Sequence, residues 1–136
     1  MGQATEIIIS STLIRIASDE AALLGERCVD ILEEKLHQRP EDFTLMLGST
    51  LHYPVMSMAD LKALKPAFDV LPYDEAVRRS SVVARNAAGD LWLLLDDPFA
   101  NELENWANER ITSQFSWALV HRADLAAFLA EHEQIM

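Results

Sequence analysis

The sequence predicts an α+β domain: N-terminal helices followed by a small three- to four-stranded sheet covered by helices. Three observations carry this. Apolar residues recur at helical spacing through the first third of the chain, two strand-like runs are joined by a five-residue turn near residue 90, and helix and strand patterns alternate from there to the end. At 136 residues, half of them apolar, the chain is long enough to bury a real core. The reading divides it into a helical segment, 1–39, and an α/β part, 40–136, expected to pack as one unit.

The elements follow in order. Ile7 to Ile16 is rich in branched residues that suit a strand, but its length also suits a helical turn or two, and helix is preferred. Ser18 is a good helix cap, with Asp19 and Glu20 in the first turn where the helix dipole favours negative charge. Leu24, Cys28, Ile31 or Leu32, and Leu36 then recur on one face. Pro40 opens a second helix, with Glu41 and Asp42 behind it and Phe43, Met46, Leu47 and Leu51 as its buried stripe. Tyr53-Pro54-Val55-Met56 reads as a strand start or an edge. Ser57 and Asp60 have capping-box spacing and open a short helix that Pro66 stops. A helical turn over Asp74 to Arg79 follows Pro72.

Ser81 to Arg85 and Leu91 to Leu95 form a hairpin around Gly89. Leu103, Trp106, Ala107, Arg110 and Ile111 have helical spacing, Gln114 to Val120 forms a third strand, and Asp124 to Glu133 closes the chain with Leu125, Phe128 and Leu129 on one face.

Charge and composition exclude several functions. With 22 acidic and 11 basic residues the formal charge is −11, which disfavours a nucleic-acid or anionic-membrane surface and favours a basic protein partner. No stretch has the length of a membrane span, so direct membrane insertion is not expected. The start lacks the basic leader and small-residue cleavage site of a signal peptide. The single cysteine, Cys28, reads as a small buried helix residue, and a reducing cytoplasmic compartment is the default.

Sites with chemistry are scarce. His37, His52, His121 and His132 never pair with Cys, Asp or Glu at a metal-ligand spacing, apart from Glu131-His132-Glu133, whose neighbours point apart on a helix. No metal or cofactor is expected. Ser80 and Ser81 lack the flanking glycines of a nucleophile elbow. Asp96-Asp97 resembles a metal-binding pair, but Pro98 favours a strand exit in which one carboxylate caps the next helix. Trp92 and Trp117 lie in strand-like runs and read as core. Trp106, among Glu102, Glu104, Asn105 and Glu109, reads as a helix stripe on the sheet or as an interaction anchor. Trp106 and Arg110 are the candidate partner-binding residues.

Three passages resemble the N-terminal domain of the type II secretion and type IV pilus assembly ATPases, the general secretion pathway protein E family. They are Leu47-Gly48-Ser49-Thr50-Leu51-His52-Tyr53-Pro54-Val55, the run from Phe68 to Arg79 around Leu71-Pro72-Tyr73-Asp74, and Gly89 to Phe99 with its Asp96-Asp97-Pro98 ending. Phe115 through Phe128 is similar in pattern, so the resemblance spans roughly Pro40 to the end. It implies a non-catalytic adaptor in the cytoplasm, peripheral to the inner membrane. The adaptor would dock a motor to the cytoplasmic part of an inner-membrane platform protein, with a C-terminal ATPase domain following in the parent chain. No G-x-x-x-x-G-K-[ST] occurs, so this chain alone is not expected to hydrolyse ATP.

Some domains of this class bind cyclic di-GMP through paired repeats that begin Arg-Leu-Gly. The nearest passage here is Leu23-Leu24-Gly25-Glu26-Arg27, with leucine at the arginine position and no second copy. A ligand-sensing domain is therefore the alternative reading. The same module attached to a membrane glycosyltransferase is another.

Overall fold

The computed structural model describes residues 8–133. It contains helices and a four-stranded mixed sheet, an α+β fold as the sequence predicts. The contacts divide the chain into two units, Met1–Pro54 and Val55–Met136. The expected division after residue 39 therefore lies elsewhere. The helix that Pro40 opens belongs with the helices before it.

In the first unit, α1 spans Ser11–Leu24, α2 Cys28–Leu36 and α3 Pro40–Leu51. The expected single helix starting at Ser18 is thus two. Ser10 is the true cap of α1, its hydroxyl oxygen accepting from the Leu13 N–H at 3.1 Å. Gly25 ends α1 in the left-handed region at φ 69°, where its N–H reaches the Ala21 carbonyl. Of the expected helix-or-strand segment Ile7 to Ile16, Ile7 lies outside the described residues, and Ser11 onward is helical.

Cys28 is the first residue of α2 and half-buried, not an inner helix residue; its Sγ lies 4.0 Å from the Ile14 carbonyl oxygen. Ile9, Ala17, Ala21, Val29, Ile31, Leu32, Phe43, Met46 and Leu47 are the buried hydrophobic residues of this unit. Ile9 N–H donates to Thr50 Oγ1 at 2.9 Å, tying the segment before α1 to the last turn of α3.

In the second unit, α4 (Met58–Leu61) begins with the expected capping box, in which Ser57 Oγ accepts from the Asp60 N–H and Asp60 Oδ2 accepts from the Ser57 N–H. Pro66 does not stop this helix. It lies in a two-residue edge strand, β1 (Lys65–Pro66), which the sequence reading missed. After α5 (Tyr73–Arg79) come β2 (Ser81–Arg85), β3 (Leu91–Leu95), α6 (Leu103–Arg110), β4 (Phe115–Leu119) and α7 (Arg122–Glu131).

The sheet order is β1-β2-β3-β4, antiparallel except for the parallel β3–β4 pair that α6 makes possible. Val55 adds one parallel bridge to Leu119, so the expected extended run at Tyr53–Met56 is reduced to a single pairing at the sheet edge. The β2–β3 turn is held by Asn86, whose Oδ1 accepts from the N–H groups of Ala88 and Asp90, while Gly89 supplies φ 89°.

Val82, Val83, Ala84, Leu93, Leu94 and Leu95 are all 0 % exposed. Consecutive strand residues point to opposite faces, so both faces of the inner strands are covered. That explains why Leu91-Trp92-Leu93-Leu94-Leu95 reads as an apolar run without alternation. The exit after β3 departs from expectation in one respect. Asp97 Oδ1 accepts from the Phe99 N–H at 3.1 Å, closing a turn, whereas the cap of α6 is Glu102 at φ 55° with no side-chain bond.

Candidate functional site

Trp106 and Arg110 lie one turn apart on α6 and so share a face. They meet Glu75 and Arg79, four residues apart on α5, and each pair complements the other. Arg110 Nε donates to both Glu75 carboxylate oxygens at 3.0 and 3.1 Å, and Arg110 Nη2 lies 3.0 Å from Oε1. Trp106 donates a side-chain hydrogen bond to the same carboxylate. The Arg79 guanidinium carbon sits 4.8 Å from the centre of the Trp106 ring, in cation–π range.

The hydrogen bonds from Arg110 hold the Glu75 carboxyl below the usual carboxylate range, against the opposing effect of burial. Trp106 is half-buried, and the Arg110 side chain is 38 % exposed. The cluster joins α6 to α5, and its two carboxylate-bound donors are committed within the fold. The sequence singled out Trp106 and Arg110 but gave no signal for their partners Glu75 and Arg79 on α5.

Trp92 and Trp117, expected in the core, are each half-buried. Trp92 lines a cleft of about 490 Å³ at the hairpin end of the sheet, together with Arg85, Asp90, Gln114 and Ser116. The Arg85 guanidinium there is matched by Asp69, with Nη1 to Oδ1 at 2.9 Å and Nη2 to Oδ2 at 2.8 Å. That pairing lowers the Asp69 pKa and raises that of Arg85. A smaller groove of about 270 Å³ lies between α5 and α7, beside Tyr73, Val77, Leu125 and Leu129.

All four histidines are helix caps. His37 and His52 end α2 and α3 in left-handed conformations, His132 ends α7, and His121 begins α7 with its Nδ1 accepting from the Ala123 N–H. Among the described residues no three His, Cys, Asp or Glu side chains gather as a metal site. No helix of the described residues is long and apolar enough to cross a membrane.

Leu23-Leu24-Gly25-Glu26-Arg27 forms the junction between α1 and α2. Leu23 is 87 % exposed, and the Arg27 guanidinium is held by Asp30, Nε to Oδ2 at 3.0 Å and Nη2 to Oδ1 at 3.2 Å. The arginine nearest to the cyclic-dinucleotide pattern is therefore engaged one turn into its own helix.

No family model matches the sequence, and no curated protein matches it. Among solved structures the chain is similar to MshE, in a structure of MshE with cdg. The TM-score is 0.64, the identity 19 %, and the match covers 91 % of this chain and 90 % of that one. At this identity the likeness establishes a shared fold.

Proposed function

We propose that this chain is a non-catalytic regulatory domain of the kind joined to type IV pilus and type II secretion motors, and that its ligand is cyclic di-GMP, taken as the cdg of the MshE structure. The observation that supports this is the likeness to MshE over 91 % of the chain. The absence of a P-loop motif from the sequence supports the non-catalytic part.

The charge of −11 and the engagement of Arg27 by Asp30 limit how the ligand is held. Affinity comes mainly from stacking of the guanine bases on apolar side chains and from backbone N–H donors, with little from guanidinium clamps. Binding is accordingly weak in its dependence on salt. Isothermal titration of the protein with cyclic di-GMP tests the reading. A saturable micromolar isotherm that changes little between low and high salt is expected; no heat and no perturbed amide resonances at millimolar ligand overturns it.

A second reading, docking to the cytoplasmic part of an inner-membrane platform protein, is favoured by the exposed apolar side chains of the first unit. Five large hydrophobic residues there, Ile8, Ile16, Leu23, Leu24 and Leu45, are 46–87 % exposed. Trp106 and Arg110 contribute to such docking only through the outer rim of their cluster.

A further inference from the structure

The helix α1 is amphipathic in an inverted sense. Its buried residues are the small Ala17 and Ala21, while the larger Ile16, Leu23 and Leu24 are 46, 87 and 57 % exposed. Ile16 and Leu23 are seven residues apart, two turns of helix, so their side chains form one ridge about 10 Å long. Leu24 flanks the ridge on the side toward the core. The inner face of α1 is made by Ala17 and Ala21 with the half-buried Leu13 and Ile14, which leaves Leu23 in particular outside it.

The charged groups around the ridge are acidic in excess. Glu20 lies along it and is neutralised by Lys35 Nζ at 2.8 Å. Asp19 and Glu26 are exposed beside it, and among the described residues neither forms an ion pair. The one exposed cation of α1 near this rim is Arg15. A second copy of the chain would bring the same carboxylates and another charge of −11 against this rim, so like-charge repulsion opposes self-association.

We propose that the Ile16–Leu23 ridge of α1, with Leu24 at its flank and Asp19 and Glu26 at its rim, docks an amphipathic helix of a partner protein whose apolar stripe is bordered by lysine or arginine. A helix is the matching element because a ridge of this repeat fits the groove between side-chain rows of another helix. Basic borders meet the exposed rim carboxylates, speed association and disfavour acidic competitors. This inference rests on the docking reading; Leu23, Leu24 and Glu26 also belong to the passage nearest to the cyclic-dinucleotide pattern, so the ligand reading is tested on samples that keep them.

The test uses the whole chain and two synthetic amphipathic helical peptides with identical leucine stripes, one bordered by lysines and the other by glutamates. Fluorescence anisotropy is measured against the native protein, Leu23→Ser, Ile16→Ser, the charge reversal Asp19→Lys/Glu26→Lys, and Val77→Ser as a control on another exposed apolar residue. Each substituted side chain is exposed, and unchanged circular dichroism and melting verify folding. The lysine peptide binds the native protein and Val77→Ser alike, and at least tenfold more weakly after either ridge substitution or the charge reversal. The glutamate peptide does not bind.

Failure of the lysine peptide to bind, equal binding of both peptides, or indifference to the ridge substitutions overturns the proposal. So does sedimentation showing a native dimer that Leu23→Ser dissociates, which would make a second copy the occupant. Titration of the native protein and Val77→Ser with cyclic di-GMP, both of which keep Leu23 to Arg27, reads the ligand proposal separately.

Discussion

Arg110 closes on Glu75 across 35 residues of sequence with its Nε shared between both carboxylate oxygens, and this contact fastens α6 to α5. The Glu75 side chain is 18 % exposed and that of Arg110 38 %. The carboxylate therefore stands in a partly desolvated place with a solvent-screened partner. The pair is worth less than a buried ion pair and more than a surface one.

Arg110→Ala is expected to lower the unfolding free energy by about 1 kcal/mol, after discounting a charge-assisted bond for screening. Arg110→Ala and Glu75→Gln together are expected to cost less than the sum of the singles in a urea-denaturation double-mutant cycle. Strict additivity would show that the contact contributes nothing.

The pH dependence follows from the same geometry. Arg110 depresses the Glu75 carboxyl and Arg85 depresses that of Asp69. A depressed folded-state pKa means that the stabilisation is complete above the ordinary carboxylate range and is lost as pH falls through the lowered folded values. Melting temperature is therefore expected to fall on acidification below that range, and the fall should be shallower in Glu75→Gln. An identical acid limb in the variant would count against this account.

Asp69 and Arg85 make a bidentate pair with both side chains largely in water, 65 and 41 % exposed. Arg85→Gln is expected to leave the melting temperature almost unchanged at high salt, with any low-salt difference disappearing on titration with sodium chloride. A salt-independent loss would mean that Arg85 supports the β-strand end by packing.

Leu93 is 0 % exposed at the centre of the inner strand β3. Leu93→Ala is expected to cost about 2–5 kcal/mol in urea unfolding, the lost transfer free energy plus a cavity that a two-sided sheet cannot close. Leu45→Ala, at an exposed helix position, should fall within about 0.5 kcal/mol of the native chain.

Two helix ends predict opposite signs for glycine exchange. His37 ends α2 at φ 52° and Gly25 ends α1 at φ 69°. His37→Gly is expected to stabilise by roughly 0.5 kcal/mol and Gly25→Ala to destabilise by about 1 kcal/mol, because only glycine adopts this region without steric cost. No atom lies within 4 Å of a Cβ added at Gly25, so the cost is backbone strain alone. Thermal melts of both variants check the pair of signs.

Where sequence rules act locally, the fold was legible. The Ser57–Asp60 capping box, Pro40 at the start of α3, and the five-residue turn between Arg85 and Leu91 all stand where the pattern placed them. The errors arose where tertiary context took over. Histidine and serine at C-caps hide helix ends that glycine would announce, and Gly25 was overlooked because Leu24 and Cys28 kept the helical period through it. The edge strand at Lys65–Pro66 is too short for any period and exists only because β2 offers it a partner. Trp106 and Arg110 were visible as an apolar anchor and a charge, but Glu75 and Arg79 lie on another helix, and no local pattern announces that pairing.

The parallel β3–β4 pair has a consequence for synthesis on the ribosome. Strand β3 meets β2 as soon as the hairpin emerges, yet its other neighbour, Phe115–Leu119, is translated only after the whole of α6. Until then Leu93 and Leu94 lie on an outermost strand with an open flank, the arrangement most prone to pairing with another nascent chain. Completion of this unit is deferred to its final quarter, so a pause or truncation before β4 leaves its most apolar strand unguarded.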